Sequence, residues 1–148
     1  MHGSCVVLDD EAVLVLGPSG AGKSDLVLRL IGRGWRLVAD DQVELARVGD
    51  GLMASAPAPL RGMLEVRGLG LFRDLPMVSP ARLALVVDLL PDGAALSRLP
   101  EPVVFETLGV SLPRVALRGL EASVPDKVAF ALAAVRGRAR MVAGAFAA

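Results

Sequence analysis

Apolar residues along the chain fall in short runs separated by turn residues, and helical spacing interrupts the strand-like pattern only twice. Residues 4–8 and 12–16 are rich in Val and Leu and flank Asp9-Asp10-Glu11, the pattern of a β-hairpin. Leu26, Val27, Leu30 and Ile31 then recur at helical spacing, which predicts a helix over 23–33 with Gly34 as its stop. Residues 36–39 predict a strand ending in Asp40-Asp41, and 43–48 and 52–55 predict strands joined through Gly49-Asp50-Gly51. Two prolines make 56–60 a loop, and Gly68 and Gly70 break the apolar stretch 65–72 into a tight, irregular path. Residues 83–90 suit a central strand, 91–102 a turn-rich connection, and 103–105 and 110–117 further strands. A second helix is predicted over 126–135, between Pro125 and Gly137, and the Ala-rich end is expected to fray. The expected organisation is one α/β domain over 1–137, with more strand than helix, and a flexible tail over 138–148.

Composition narrows what such a domain can do. Of the 148 residues 53% are hydrophobic, enough for a buried core, so a disordered chain is excluded. Sixteen basic and sixteen acidic residues cancel, which leaves no global field for gripping nucleic acid. Four Phe, one Trp and no Tyr offer few platforms for stacked bases. The single cysteine, Cys5, rules out an internal disulfide and a thiolate zinc site. No apolar run reaches ~18 residues, and no basic segment opens onto a long apolar one, so a membrane span and a signal peptide are not read and a cytoplasmic location is expected. All but two basic residues are arginine; the lysines are Lys23 and Lys127. Lys23 falls inside the strongest motif of the chain.

That motif is Gly17-Pro18-Ser19-Gly20-Ala21-Gly22-Lys23-Ser24, which meets every required position of the phosphate-loop pattern between a strand and a helix. Its glycines let main-chain N–H groups turn inward around phosphate oxygens, and the helix N-terminus adds a partial positive charge facing the same site. Lys23 is placed to reach the β- and γ-phosphates of a nucleotide, and the Ser24 hydroxyl to ligate Mg²⁺. Phosphoryl transfer also needs a carboxylate near the metal and a group that activates the nucleophile. Two strands end in candidates: Asp40-Asp41, which also suits capping or proton transfer, and Asp88, which follows 83–87 in the manner of a Walker B aspartate but precedes the turn Pro91-Asp92-Gly93. Three functions stay open on these residues: a kinase acting on a protein, a small-molecule kinase, and a nucleotide-binding switch without phosphotransfer.

Several blocks, in order, resemble HPr kinase/phosphorylase, the bacterial enzyme that phosphorylates a serine of the phosphocarrier HPr. They are His2-Gly3, the phosphate loop with Asp25, Arg33-Gly34-Trp35-Arg36-Leu37-Val38-Ala39-Asp40-Asp41, and Glu65-Val66-Arg67-Gly68-Leu69-Gly70. The resemblance covers His2 to about Ala134. It implies a P-loop kinase with a mixed, strand-rich sheet like the nucleotide domain of phosphoenolpyruvate carboxykinase, using ATP and Mg²⁺. It also implies that Asp41 is the base toward the acceptor serine, that Glu65 joins Ser24 in holding Mg²⁺, and that Lys23 steadies the transferred group. Asp40, read from its strand end, is a candidate for the carboxylate near the metal, with Asp88 the alternative. His2 matches a histidine near the catalytic aspartate, and Arg98 stands near the family's catalytic arginine. An HPr-like carrier as partner and a ring-like homo-oligomer, a hexamer, follow from the same resemblance. Two departures stand out. The family's N-terminal domain has no counterpart here, so a short form is expected. The family's Pro-Gly-Arg-Asn stretch is not matched within 113–121, which leaves the reverse, phosphate-dependent reaction in doubt.

Overall fold

The computed structural model describes residues 1–147 and shows a mixed sheet with two helices on one face and a hairpin on the other. The elements are β1 (Ser4–Leu8), β2 (Glu11–Leu16), α1 (Lys23–Ile31), β3 (Arg36–Ala39), β4 (Glu44–Val48), β5 (Gly51–Ser55), β6 (Leu64–Val66), β7 (Gly70–Phe72), β8 (Ala81–Leu90), β9 (Val103–Thr107), β10 (Val110–Arg118) and α2 (Val124–Val135). The sheet order is β3-β1-β2-β8-β10-β9, with the β4–β5 hairpin joined through β5 to the start of β8. Pairs β2–β8 and β8–β10 are parallel, whereas β1 is antiparallel to both β2 and β3. Strands β2, β3, β8 and β10 therefore point the same way and bring their C-terminal ends to one edge. In an open α/β sheet that edge is where a ligand crevice forms.

Burial follows from this layering. Strand β2 is covered on both faces, and its sequence, Glu-Ala-Val-Leu-Val-Leu, is accordingly almost continuously apolar. Val13 and Val15 face the helices together with Val6, Leu85 and Val87, while Leu14 joins Cys5, Val7, Val38, Leu52 and Val86 beneath the hairpin. Helix α1 buries the stripe Leu26, Val27 and Leu30, and α2 buries Val124, Val128 and Leu132.

Three local expectations change. The apolar stretch expected to be irregular is a small antiparallel hairpin, β6–β7, in which Glu65 lies opposite Leu71; Gly68 makes the turn at φ 89°. Helix α2 begins two residues earlier than its periodicity suggested, because Pro125 sits in the first turn, where no N–H is needed. The Ala-rich end, expected to fray, turns back on the domain: Ala145 is buried against the helix-side core and Phe146 packs beside it. Arg136 and Arg138 both form ion pairs with the buried carboxylate of Glu11, the latter at 3.1 Å. That carboxylate would be costly to bury alone, so the pairing explains why the chain stays close. Ala148 lies outside the described residues. Among the described residues no helix is long and apolar enough to cross a membrane.

Candidate active site

The loop between β2 and α1 is held in shape by close packing against the turn after β10. Gly22 caps α1 at φ 101°, a conformation that favours glycine, and a Cβ there would sit 3.1 Å from Leu120 Cδ2. Gly119, just after β10, backs directly onto the loop: a Cβ on it would lie 2.1 Å from the Ala21 carbonyl oxygen. Main chain cannot swing aside as a side chain can. Gly119→Ala is therefore expected to displace the loop, destabilise the fold by about 1–3 kcal/mol and weaken nucleotide binding. Thermal unfolding followed through Trp35, buried under the sheet-facing side of the helices, checks the first; titration with ATP checks the second.

Lys23 is buried, and its ammonium donates to the carbonyl oxygens of Gly17 (2.6 Å) and Pro18 (3.0 Å). Its charge is thus compensated by loop dipoles rather than by a carboxylate and stays available to an anion. On the flank formed by β3 the two aspartates part company. Asp40 is buried and accepts hydrogen bonds from Ser4 Oγ (2.7 Å) and Ser24 Oγ (3.0 and 3.3 Å to its two oxygens). Asp41 adopts φ 71°, a left-handed conformation that Asp tolerates better than most residues. The twist turns its side chain outward, 68% exposed, with Oδ1 3.5 Å from His2 Nδ1. The two carboxylates consequently occupy separate environments instead of sharing one.

His2 owes its place to main-chain clasps: Gly3 N–H donates to the Asp41 carbonyl (3.1 Å) and Val43 N–H to that of Met1 (2.8 Å), while His2 bridges Gln42. A residue near a chain end is thereby fixed beside the exposed aspartate. The third wall is the β6–β7 hairpin, which packs on α1 and carries Glu65 and Arg67. His2, Ser4, Lys23, Ser24, Asp41 and Glu65 all line one cavity of ≈ 440 Å³, together with Ser19, Gly20 and Gly22 of the loop, a volume within the range of small-ligand sites.

Other candidates lie elsewhere. Asp88 is engaged by Arg114, whose Nη2 donates to Oδ1 at 2.9 Å and whose Nε reaches Oδ2; Arg114 also lies 5.7 Å over the Phe105 ring. Alternation along β8 places Asp88 on the face away from the helices, since Leu85, Val87 and Leu89 face them. Arg98 is exposed in the β8–β9 connection and does not line the cavity. Ser4, which fixes Asp40, carried no signal within an apolar strand. Arg67 did: it is a cation two residues from Glu65 within Glu65-Val66-Arg67-Gly68, and the turn after β6 brings it to the same cavity as Glu65.

Residues 1–78, more than half of the chain, match the family model described as HPr Serine kinase C-terminal domain. The chain belongs to that family. Curated relatives named HPr kinase/phosphorylase include one from Caldanaerobacter subterraneus subsp. tengcongensis, 39% identical over an alignment 113 residues long, which covers 74% of this chain and 36% of that protein. Another, from Bordetella petrii, is 39% identical over an alignment 128 residues long, which covers 80% of this chain and 42% of the relative. The chain thus spans well under half the length of these curated relatives. Among solved structures, that of the Hpr(Ser) kinase/phosphatase from Coxiella burnetii aligns with a TM-score of 0.77 at 26% identity, covering 93% of this chain and 94% of that one. The resemblance to HPr kinase/phosphorylase and the mixed, strand-rich α/β fold expected from the sequence are both borne out. The HPr kinase C-terminal domain supplies the frame for reading the cavity.

Proposed function

We propose that this HPr kinase domain transfers the γ-phosphoryl group of ATP to a serine of an HPr-like phosphocarrier protein. The observation that carries the reading is the convergence of Lys23, Ser24, Asp41 and Glu65 on a single cavity at the C-terminal ends of parallel strands. The loop N–H groups and the α1 N-terminus hold the phosphates, and Lys23 exchanges its two carbonyl partners for phosphoryl oxygens. Asp41, exposed at the rim, accepts the proton of the incoming serine hydroxyl, and His2 orients that carboxylate. Asp40 does not face the acceptor; through its bonds to Ser24 it keeps the Ser24 hydroxyl aimed.

The donor set fits Mg²⁺: a serine hydroxyl with a carboxylate behind it, and Glu65 across the cavity, are hard oxygen ligands. When bound, the ion neutralises charge on the β- and γ-phosphates. Glu65→Gln is expected to raise the Mg²⁺ concentration needed for half-maximal transfer several-fold while leaving the fold intact, because Glu65 is exposed; an unchanged metal titration would remove it from the ligand set.

A cytoplasmic setting and a homo-oligomer, a hexamer, belong to the same reading. The stretch 113–121, where the family's Pro-Gly-Arg-Asn is not matched, forms β10 and the turn against the phosphate loop, so the kinase direction is proposed without the phosphate-dependent reverse. The test is incubation with labelled ATP and a panel of HPr homologues. Label on a carrier serine supports the proposal. ATP binding without transfer to any carrier would leave a nucleotide switch.

A further inference from the structure

The cavity has a second flank that the transfer chemistry does not use. Strand β3 lies two strands to one side of β2 and β10 two strands to the other, all three running in the same direction. The phosphate loop after β2 is therefore bordered by Asp40-Asp41 on one side and by the turn Gly119-Leu120-Glu121 on the other. Leu120 presents its side chain to the cavity and is half exposed. A single exposed leucine is ordinary on a protein surface; here the main chain carrying it is pinned. Arg29 of α1 donates to the carbonyl oxygens of Gly119 (2.6 Å) and Glu121 (3.0 Å), and is itself paired with Asp25 at 2.9 Å. Glu121 is held by Lys127 (2.7 Å) and Arg118 (3.1 Å). Lys127 and then Arg118 hold its carboxyl below the usual glutamate value.

We infer that Leu120 is the nucleoside-side platform of the site, against which the base and ribose of ATP lie while the phosphates cross the loop toward Asp41. The inference rests on the nucleotide reading above and adds the end from which the ligand enters. A phosphate chain on the loop with its terminal group toward β3 must leave its other end toward β10. What meets it there is the Leu120 side chain, carried on main chain that Arg29 braces at Gly119 and Glu121, so the backbone need not be ordered before the weakly hydrated face of a base is covered.

Calorimetric titration of the whole chain with Mg²⁺ present, using ATP and inorganic tripolyphosphate as separate ligands, tests this. Leu120→Ala is expected to weaken ATP about five- to tenfold, the scale of one apolar contact of this size, and to leave tripolyphosphate unchanged; Leu120→Met is expected to bind ATP as the native chain does. Unchanged ATP affinity in Leu120→Ala, or equal losses for both ligands, overturns the inference, the latter because it marks a distorted loop. A native chain that binds neither ligand overturns the nucleotide reading itself.

Discussion

Asp41→Asn is expected to slow phosphoryl transfer by about 10²–10⁴-fold, the usual contribution of a positioned general base, with ATP affinity essentially retained. The two halves of that outcome have separate physical origins. Among the described residues Asp41 makes no hydrogen bond or ion pair with the loop or Lys23; its polar partners are His2 through the side chain and Gly3 through the main chain. Asparagine keeps the shape, tolerates the left-handed backbone that Asp41 adopts, and removes only the proton acceptor. Single-turnover measurement with an HPr-like acceptor, alongside equilibrium ATP binding, reads the two halves independently. Retention of the native transfer rate would mean that the serine is activated by another group. An equal fall in ATP binding would mean that the β3 tip shapes the phosphate site and does not act on the acceptor.

Lys23→Ala is expected to remove transfer to a similar depth by a different route, with kcat falling about 10²–10³-fold, as when a preorganised charge is deleted from a transition-state clamp, and with ATP binding weakened as well. The variant is expected to fold. Lys23 is buried against two main-chain carbonyls without a carboxylate partner, so its loss strands no buried opposite charge, the situation that makes such deletions severe. Lys23 itself lines a cavity large enough to admit water in place of its side chain. Comparison with Lys23→Met, which keeps the aliphatic stem packed on the loop, separates charge from volume: both variants should lose transfer to the same extent. A Met variant close to native activity would show that the ammonium is not the operative group.

Much of the site was legible beforehand because its determinants are local. The phosphate loop depends on glycines at positions where main chain must approach a ligand and on a strand and helix whose periodicities meet there; that information lies within about twenty consecutive residues. The hairpin over 4–16 and the strand ending in Asp40-Asp41 were readable for the same reason. The choice between the two Walker-type candidates was not local. Asp40 and Asp88 each end an apolar run, and only the sheet order shows that Ser4 and Ser24 converge on the first while Arg114 occupies the second. Nor did the pattern forecast the fate of 138–147, since the partner of Arg138 is Glu11, 127 residues away. Arg98, placed near a catalytic arginine by resemblance, shows how little a loose alignment through a turn-rich segment says about position: it lies outside the cavity lining, where Arg67 is found.

By itself the amino-acid order determined the secondary-structure rhythm, the identity of the phosphate-binding loop and the membership of a family, because hydrogen-bonding periodicity and glycine geometry act between near neighbours. Tertiary structure alone decided which carboxylate serves the loop, that Asp41 faces outward toward His2, and that Arg29 braces the turn bearing Leu120. Those relations depend on strand order and parallel pairing, and so on contacts between residues that are distant along the chain and meet only when the sheet assembles.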